Sequence, residues 1–368
     1  MSQSGVYSEN KMLWHYVRDG GLPDVPKQVQ LILSDLCNQD CSFCAYRMSG
    51  YTSNQLFVGD SKAAAYGHNN PQRWIPTERA MSLISEISEL GCLAVQFTGG
   101  GEPTVHPAHE DIFRKTLEQN LRASLVSNGI KWSEKLINDI LPNFDWVRVS
   151  IDAGEAGSYA RIRRTPAAHW ERVWRNVGAL ATSIKRRGSS CQFGLGFVVT
   201  PDSWHEIERF AVKARTSGVH NVRYTAMFSP DSERPFVAIY DGVKMSIDRV
   251  RDLYSDASFT VYDNFGSRFD DLKQRAPDYR DCAYQRYTTY IGGDMQAYRC
   301  CILAYNKRGK LATGDLTNQR FDDFWRRPER KVDMNNLDAR GCERCQFNVK
   351  NRQMVEIISN DMPHKEWP

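Results

Sequence analysis

No stretch of the chain approaches the roughly 18 consecutive apolar residues of a membrane-spanning helix, and mean hydropathy is −0.54. The first eleven residues, Met1 to Lys11, have no apolar core, so there is no signal-peptide pattern and the expectation is a cytoplasmic protein. An excess of one charge is missing too. There are 48 Lys and Arg against 44 Asp and Glu, a net charge of +4. That balance permits a nucleotide or nucleic-acid partner without arguing for one. There is no internal repeat and no low-complexity segment. With 41% hydrophobic and 25% charged residues, a wholly disordered chain is excluded. At 368 residues the chain is long enough for two domains, or for one α/β domain with an appendage.

What the chain does have is cysteine, ten in all. In a cytoplasmic chain a disulfide framework is not expected, so clustered cysteines suggest metal. Cys92 and Cys191 stand alone in apolar segments and read as small core residues. The rest fall in two groups, Cys37, Cys41 and Cys44 near one end, and Cys282, Cys300, Cys301, Cys342 and Cys345 near the other.

Between the groups the pattern alternates. Strands are expected at Val29–Leu33, Ala94–Thr98, Ala123–Ser127, Trp146–Ile151, Phe193–Thr200 and Val222–Ala226, with helical segments between them. Six strands alternating with helices imply a parallel sheet, and right-handed crossovers curl it into a barrel or partial barrel. The expected organisation is an arm over 1–27, a core over 28–227, a linker over 228–280, a cysteine-rich unit over 281–349 and a tail over 350–368. Residues 45–76 form a polar, aromatic insertion of the kind that makes lids and binding loops.

Cys37-Asn-Gln-Asp-Cys41-Ser-Phe-Cys44 is C-x3-C-x2-C. Three thiolates on one short loop can hold three irons of a [4Fe–4S] cubane and leave the fourth iron open to a small chelating molecule. A structural zinc would want a fourth ligand, and no local His or Cys supplies it. Directly after a first strand, with Phe43 before the third Cys, this loop resembles that of the radical S-adenosylmethionine (SAM) superfamily. The resemblance covers about residues 28 to 226. It implies that the open iron chelates SAM, and that one-electron reduction cleaves SAM to a 5′-deoxyadenosyl radical that abstracts hydrogen from the substrate. A flavodoxin- or ferredoxin-type reducing partner follows from it. Phe43 matches the aromatic beside the adenine. Gly100-Gly101-Glu102-Pro103, after the second strand, matches the motif that binds the methionine amino group. Ser127 and Asn128 sit where the family contacts SAM ribose or carboxylate, although a turn is equally consistent with them. Ser150-Ile-Asp152 matches an S-x-D pattern after the fourth strand. Arg163 matches an arginine that pairs with the SAM carboxylate, with Arg161 and Arg164 as neighbours that leave the assignment open. Gly194 to Val198 corresponds to the strand that backs the adenine.

Spacing alone does not choose between zinc and iron–sulfur for the second cysteine group, and in isolation zinc is the favoured reading. Behind such a core it resembles the SPASM/twitch extension, which carries auxiliary [4Fe–4S] clusters. The fuller SPASM pattern has more cysteines, so the shorter twitch arrangement with one cluster fits better. The expected ligands are Cys282, Cys342, Cys345 and either Cys300 or Cys301, with Cys300 preferred. The fold class expected is therefore α/β, a partial (β/α)6 TIM-like barrel with a small C-terminal auxiliary-cluster domain. The auxiliary cluster would relay an electron or anchor the substrate.

Substrate is the thinnest inference. The resemblance leaves a small polar metabolite, nucleotide or modified nucleobase; a peptide or protein side chain; or, in a different class, a non-catalytic zinc or iron–sulfur module. The short stretch before the first strand lowers the peptide reading, because many peptide-modifying members begin with a separate leader-binding domain. Asp152, Tyr51 and Tyr224 are the candidate catalytic acids or bases. Reaction type is open among oxidation, epimerisation, bond formation and rearrangement. No cobalamin-binding segment is visible.

Overall fold

The structure is a computed structural model, and it describes residues 10–47, 56–57, 73–229, 231–304, 312–343 and 345–359. Elements follow in chain order: α1 (Lys11–Asp19), β1 (Gln28–Leu31), β2 (Leu36–Cys37), β3 (Leu56–Phe57), α2 (Thr77–Leu90), β4 (Ala94–Phe97), α3 (His109–Glu118), β5 (Arg122–Ser127), β6 (Trp146–Ser150), α4 (Ala156–Arg163), α5 (Ala168–Arg187), β7 (Gln192–Val199), α6 (Ile207–Thr216), β8 (Asn221–Ala226), α7 (Tyr240–Tyr254), β9 (Thr260–Asn264) and α8 (Phe265–Gln274). The C-terminal part adds α9 (Tyr284–Tyr287), β10 (Thr288–Ile291), β11 (Gln296–Tyr298), β12 (Ala312–Asp315), α10 (Phe321–Arg326), α11 (Pro328–Asn336) and α12 (Asn348–Ile358).

All six expected strands are present and parallel. They lie in one ten-stranded sheet of order β12-β11-β10-β1-β4-β5-β6-β7-β8-β9. The sheet is not closed; β9 and β12 are its two edges. Side chains alternate along each strand. On β6, Val147 and Val149 are buried toward the helices, while Arg148 and Ser150 face the inner side. Helix α2 ends where glycine stops it, since Gly91 has φ +94° and its N–H closes back on Ile87 and Ser88. Cys92 and Cys191 are buried in the main core, as read from the sequence.

Three organisational expectations need correction. Residues 228–280 are not a linker. They contribute α7, β9 and α8, and β9 pairs in parallel with β8, extending the parallel run by a seventh strand. Only Val261 in that strand is buried, so the short segment gives little hydrophobic signal. The cysteine-rich region is not a detached unit either. Its β10 pairs in parallel with β1, on the side opposite β4, and β11 and β12 continue the sheet antiparallel. It is also tied to α2: the Glu86 carboxylate accepts from Arg79 and from the Phe321 N–H, and Arg79 donates to the carbonyls of Leu316 and Gln319. The tail, as far as residue 359, is largely helical, and Met354 of α12 packs with Met12 and Leu13 of α1. Between β5 and β6 the helical segment includes a π-helical turn at Leu136–Ile140. Among the described residues no helix is long and apolar enough to cross a membrane.

Candidate active site

The loops at the C-terminal ends of the strands meet over one cavity of about 350 Å³. The first of them carries the three cysteines. It is stitched to the end of α4 by backbone bonds, Asp40 N–H to the Arg163 carbonyl at 3.2 Å and Ser42 N–H to the Ile162 carbonyl at 2.9 Å. The glycine loop is stitched to the same segment, Gly101 N–H to Ser34 and Glu102 N–H to Leu36. A Cβ at Gly100 would clash with the Asp35 carboxylate, and one at Gly101 with the Leu36 carbonyl. The glycines are therefore required by close packing of the two loops, apart from any ligand.

Cys37, Cys41 and Cys44 all border the cavity, together with Phe43, Gly99 to Glu102, Ser127, Asn128, Ser150, Asp152 and Arg163. Pro103 does not border it; it opens a tight 3-10 turn behind the loop. Burial pushes the Cys37 and Cys41 thiols up, so their thiolates need a nearby positive charge. For Cys41 the protein supplies part of that charge, because the Arg163 Nη1 donates to its sulfur at 3.3 Å.

The polar side chains around the cavity are largely engaged with one another. The Glu102 carboxylate accepts from the Thr104 N–H and hydroxyl, the Ser127 hydroxyl and the Asn128 N–H, at 2.7–3.1 Å. The Ser127 oxygen also accepts from the Trp132 indole and the Gly129 N–H. Asn128 bonds Asn38 and the Ile130 N–H. Asp152, at φ +65°, pairs with Arg163 Nη2 and accepts from the Val198 N–H at 2.6 Å. Arg163 gives its remaining donors to Gln39, Cys41 and the Ile151 carbonyl. Burial works against the Arg163 charge, but the Asp152 and Cys41 beside it override this and raise its pKa. Arg163 thus bonds both the cysteine loop and Asp152 while bordering the cavity. Ser150 is different: among the described residues its hydroxyl has no protein hydrogen bond, and it faces the cavity.

Tyr224 is also corrected. It is fully buried on the helix side of β8, donates to the Ile207 carbonyl at 2.8 Å, and packs on Phe197 and Phe210. It shares a face with Val222, while the cavity is bordered by Thr225. Tyr51 and most of the 45–76 insertion lie outside the described residues. Sequence reasoning missed Gln39, Phe228, Arg268 and Gln346, which also border the cavity. Gln346 follows Cys345 directly and was in plain view; Arg268 lies in α8, within the segment read as a linker.

A second, more closed pocket lies in the C-terminal region. Cys282, Cys300, Cys342 and Cys345 border it, with Tyr279, Tyr284, Phe347 and Asn351. Cys301, which does not border it, accepts from the Gln346 amide at 2.8 Å and packs near Tyr46 and Phe228, on the side of the first cavity. Burial pushes Cys282, Cys342 and Cys345 up to about 11. Among the described residues, no three His, Cys, Asp or Glu side chains converge closely enough for a single ion; each set of thiols borders a space instead.

An open, mostly parallel sheet with three cysteines gathered at the carboxyl ends of its strands defines a cofactor-dependent enzyme of the partial-barrel class. The chain belongs to the radical SAM superfamily, whose family description matches residues 31–214. It is similar to an S-adenosylmethionine-dependent nucleotide dehydratase of Flammeovirga pacifica, 24% identical over 40% of this chain and 46% of the relative. It is also similar to a GTP 3′,8-cyclase of Mycolicibacterium smegmatis, 29% identical over 40% of this chain and 38% of the relative. The matched region thus spans less than half the length of these curated relatives. Among solved structures, Streptococcus suis SuiB bound to precursor peptide SuiA shares the fold, with a TM-score of 0.60 and 11% identity over 89% of this chain and 70% of that one.

Proposed function

We propose that this radical SAM enzyme acts on a nucleotide or a similarly polar small molecule, with Cys37, Cys41 and Cys44 holding the cluster that binds SAM. The observation that carries the cofactor reading is that those three thiols border one cavity whose other polar walls, Ser150 apart, are largely bonded to one another. The bordering carboxylates, Glu102 and Asp152, are engaged by protein donors, which leaves three protein ligands for four irons. When bound, the cluster and SAM supply the one-electron cleavage and the hydrogen-abstracting group. The chain's own residues position and shield. Arg163 orients the cysteine loop and offsets thiolate charge at Cys41. Glu102 holds the second and third loops in register. Phe43, Gly100, Gly101 and Ser150 offer the exposed contacts for SAM, with Ser127 and Asn128 behind them.

We also assign Cys282, Cys300, Cys342 and Cys345 to an auxiliary [4Fe–4S] cluster of twitch type. Support comes from the four thiols bordering one closed pocket, from which Cys301 is absent. The names of the curated relatives favour a nucleotide substrate; the peptide-bound structural neighbour, at 11% identity, speaks to fold alone.

Iron and zinc counting on anaerobically reconstituted protein tests both assignments. Wild type holds about eight irons, and replacing Cys37, Cys41 and Cys44 by Ala leaves about four. About four irons falling to none, with one zinc retained, overturns the auxiliary-cluster assignment. Release of 5′-deoxyadenosine stimulated by a nucleotide pool but not by a peptide pool supports the substrate class, and the reverse refutes it.

A further inference from the structure

Below the cavity the inner face of the sheet carries two arginines that the reaction scheme does not use. Arg148 lies on β6 two residues before Ser150, and Arg223 on β8 two residues before Thr225. Ser150 and Thr225 border the cavity, so both arginines share the inward face one position deeper. Between them runs β7, with Gly196 beside both Ser150 and Arg223, and Gly194 beside Arg148. Asn221 fills the space over Gly194, so the lane between the two arginines runs over Gly196 alone. A Cβ at Gly196 would lie 3.6 Å from Arg148 Cδ and 3.9 Å from Ser150 Oγ. The Arg148 stem therefore crosses the lane and leads up to the cavity wall.

Both residues are partly buried, and neither forms an ion pair with an acid among the described residues. The nearby carboxylate, Asp152, is held by Arg163. Their contacts are with rings: Arg148 lies over Trp146 at 5.5 Å and Arg223 over Tyr262 at 5.5 Å. Tyr262, on edge strand β9, is 44% exposed, so this lane opens to solvent at the unclosed edge of the sheet. Burial lowers both pKa values, and the Arg223 charge lowers Arg148 further, to about 10. Two cations opposing one another across Gly196, with the nearby Asp152 already paired to Arg163, form an unfavourable arrangement that an anion relieves. Two guanidinium forks suit the several oxygens of a phosphoryl group.

We propose that Arg148 and Arg223 form a phosphoryl-binding floor that holds the phosphate tail of the substrate while its reacting end sits in the cavity above. The assignment rests on the nucleotide reading and deepens it to phosphorylated nucleotides rather than nucleosides.

The test is calorimetric titration of the reconstituted, SAM-loaded enzyme with tripolyphosphate as probe, on wild type, R148Q, R223Q and the charge-preserving R223K. Wild type binds the probe. Each glutamine variant loses about tenfold or more, and R223K, which keeps the charge but not the fork, loses less than R223Q. Iron content and melting temperature of the same samples show that the variants are folded. If R148Q or R223Q does not fold, R148K and R223K carry the comparison; each binds the probe several-fold more weakly than wild type because the fork is lost, and binding equal to wild type overturns the floor. No binding to wild type, or equal binding to wild type and both glutamine variants, overturns the floor. A second arm separates the two readings by following 5′-deoxyadenosine release with nucleoside triphosphates and the matching nucleosides. Triphosphate stimulation whose KM is unchanged in R148Q and R223Q keeps the nucleotide reading and overturns the floor. Tripolyphosphate binding that needs both arginines, without stimulation by any nucleotide, keeps the anion floor and overturns the nucleotide substrate.

Discussion

Glu102→Gln isolates what the acidic residue of the glycine loop does. The carboxylate is 3% exposed and accepts four hydrogen bonds, three on Oε1 and one on Oε2. A glutamine keeps one acceptor oxygen. With that oxygen on the three-bond side, its NH2 faces the Asn128 N–H, donor against donor. One charge-assisted bond of about 1.5–3 kcal/mol is lost, and a buried donor is left unmet at about 1–3 kcal/mol. The sum is roughly 3–5 kcal/mol. An unfolding entropy of about 2.1 cal/mol/K per residue over 368 residues gives about 0.8 kcal/mol/K, so the melting temperature falls by about 4–6 °C. The assay is thermal unfolding followed by far-UV circular dichroism, with and without the cluster, beside the KM for SAM in 5′-deoxyadenosine release. The drop in melting temperature appears in both forms, because the tie between the loops exists without ligand. An unchanged melting temperature with a raised KM for SAM refutes the reasoning and makes Glu102 a direct SAM ligand.

Other outcomes follow from the same network. Arg163→Met leaves Asp152 buried without its partner and costs about 3–5 kcal/mol, read as a lower urea midpoint; an unchanged midpoint refutes the buried pair. Cys300→Ser reduces auxiliary-cluster iron whereas Cys301→Ser leaves it intact, and the opposite result in iron analysis moves the fourth ligand to Cys301. His106 is fully buried, its Nε2–H donating to the Ile75 carbonyl at 2.7 Å and its Nδ1 accepting from the Ala108 N–H, so it is neutral when folded. Burial lowers its pKa below the ordinary value of about 6.5. The unfolded chain then binds the proton more readily, and stability falls as pH drops below about 6.5 toward the folded value. His106→Asn flattens that part of the stability–pH curve; an unaltered slope in pH-dependent melts refutes the assignment.

Local spacing made the first site readable. C-x3-C-x2-C places three thiols within one loop whatever the rest of the chain does, and the Gly-Gly-Glu-Pro run announces a close approach of backbones. Strand and helix alternation was equally legible, because hydrophobic periodicity is a property of neighbouring residues. Facing and partnership were not. Tyr224 turned to the helix layer because β8 buries Val222 and Tyr224 on one side and presents Thr225 on the other. Arg163 pairs with Asp152, eleven residues earlier in the chain, through a contact set by where α4 docks. The adjacent Cys300 and Cys301 are indistinguishable by spacing, yet Cys300 borders the closed pocket and Cys301 does not, its sulfur accepting from Gln346 instead. The joining of β10 to β1 and the meeting of Arg148 with Arg223 across β7 depend on sheet order and register. Sequence alone determined which chemistry the chain carries and on which loops. Tertiary structure decided which polar groups are spent on holding those loops and which stay available, because hydrogen-bond partnership is settled by packing between distant segments.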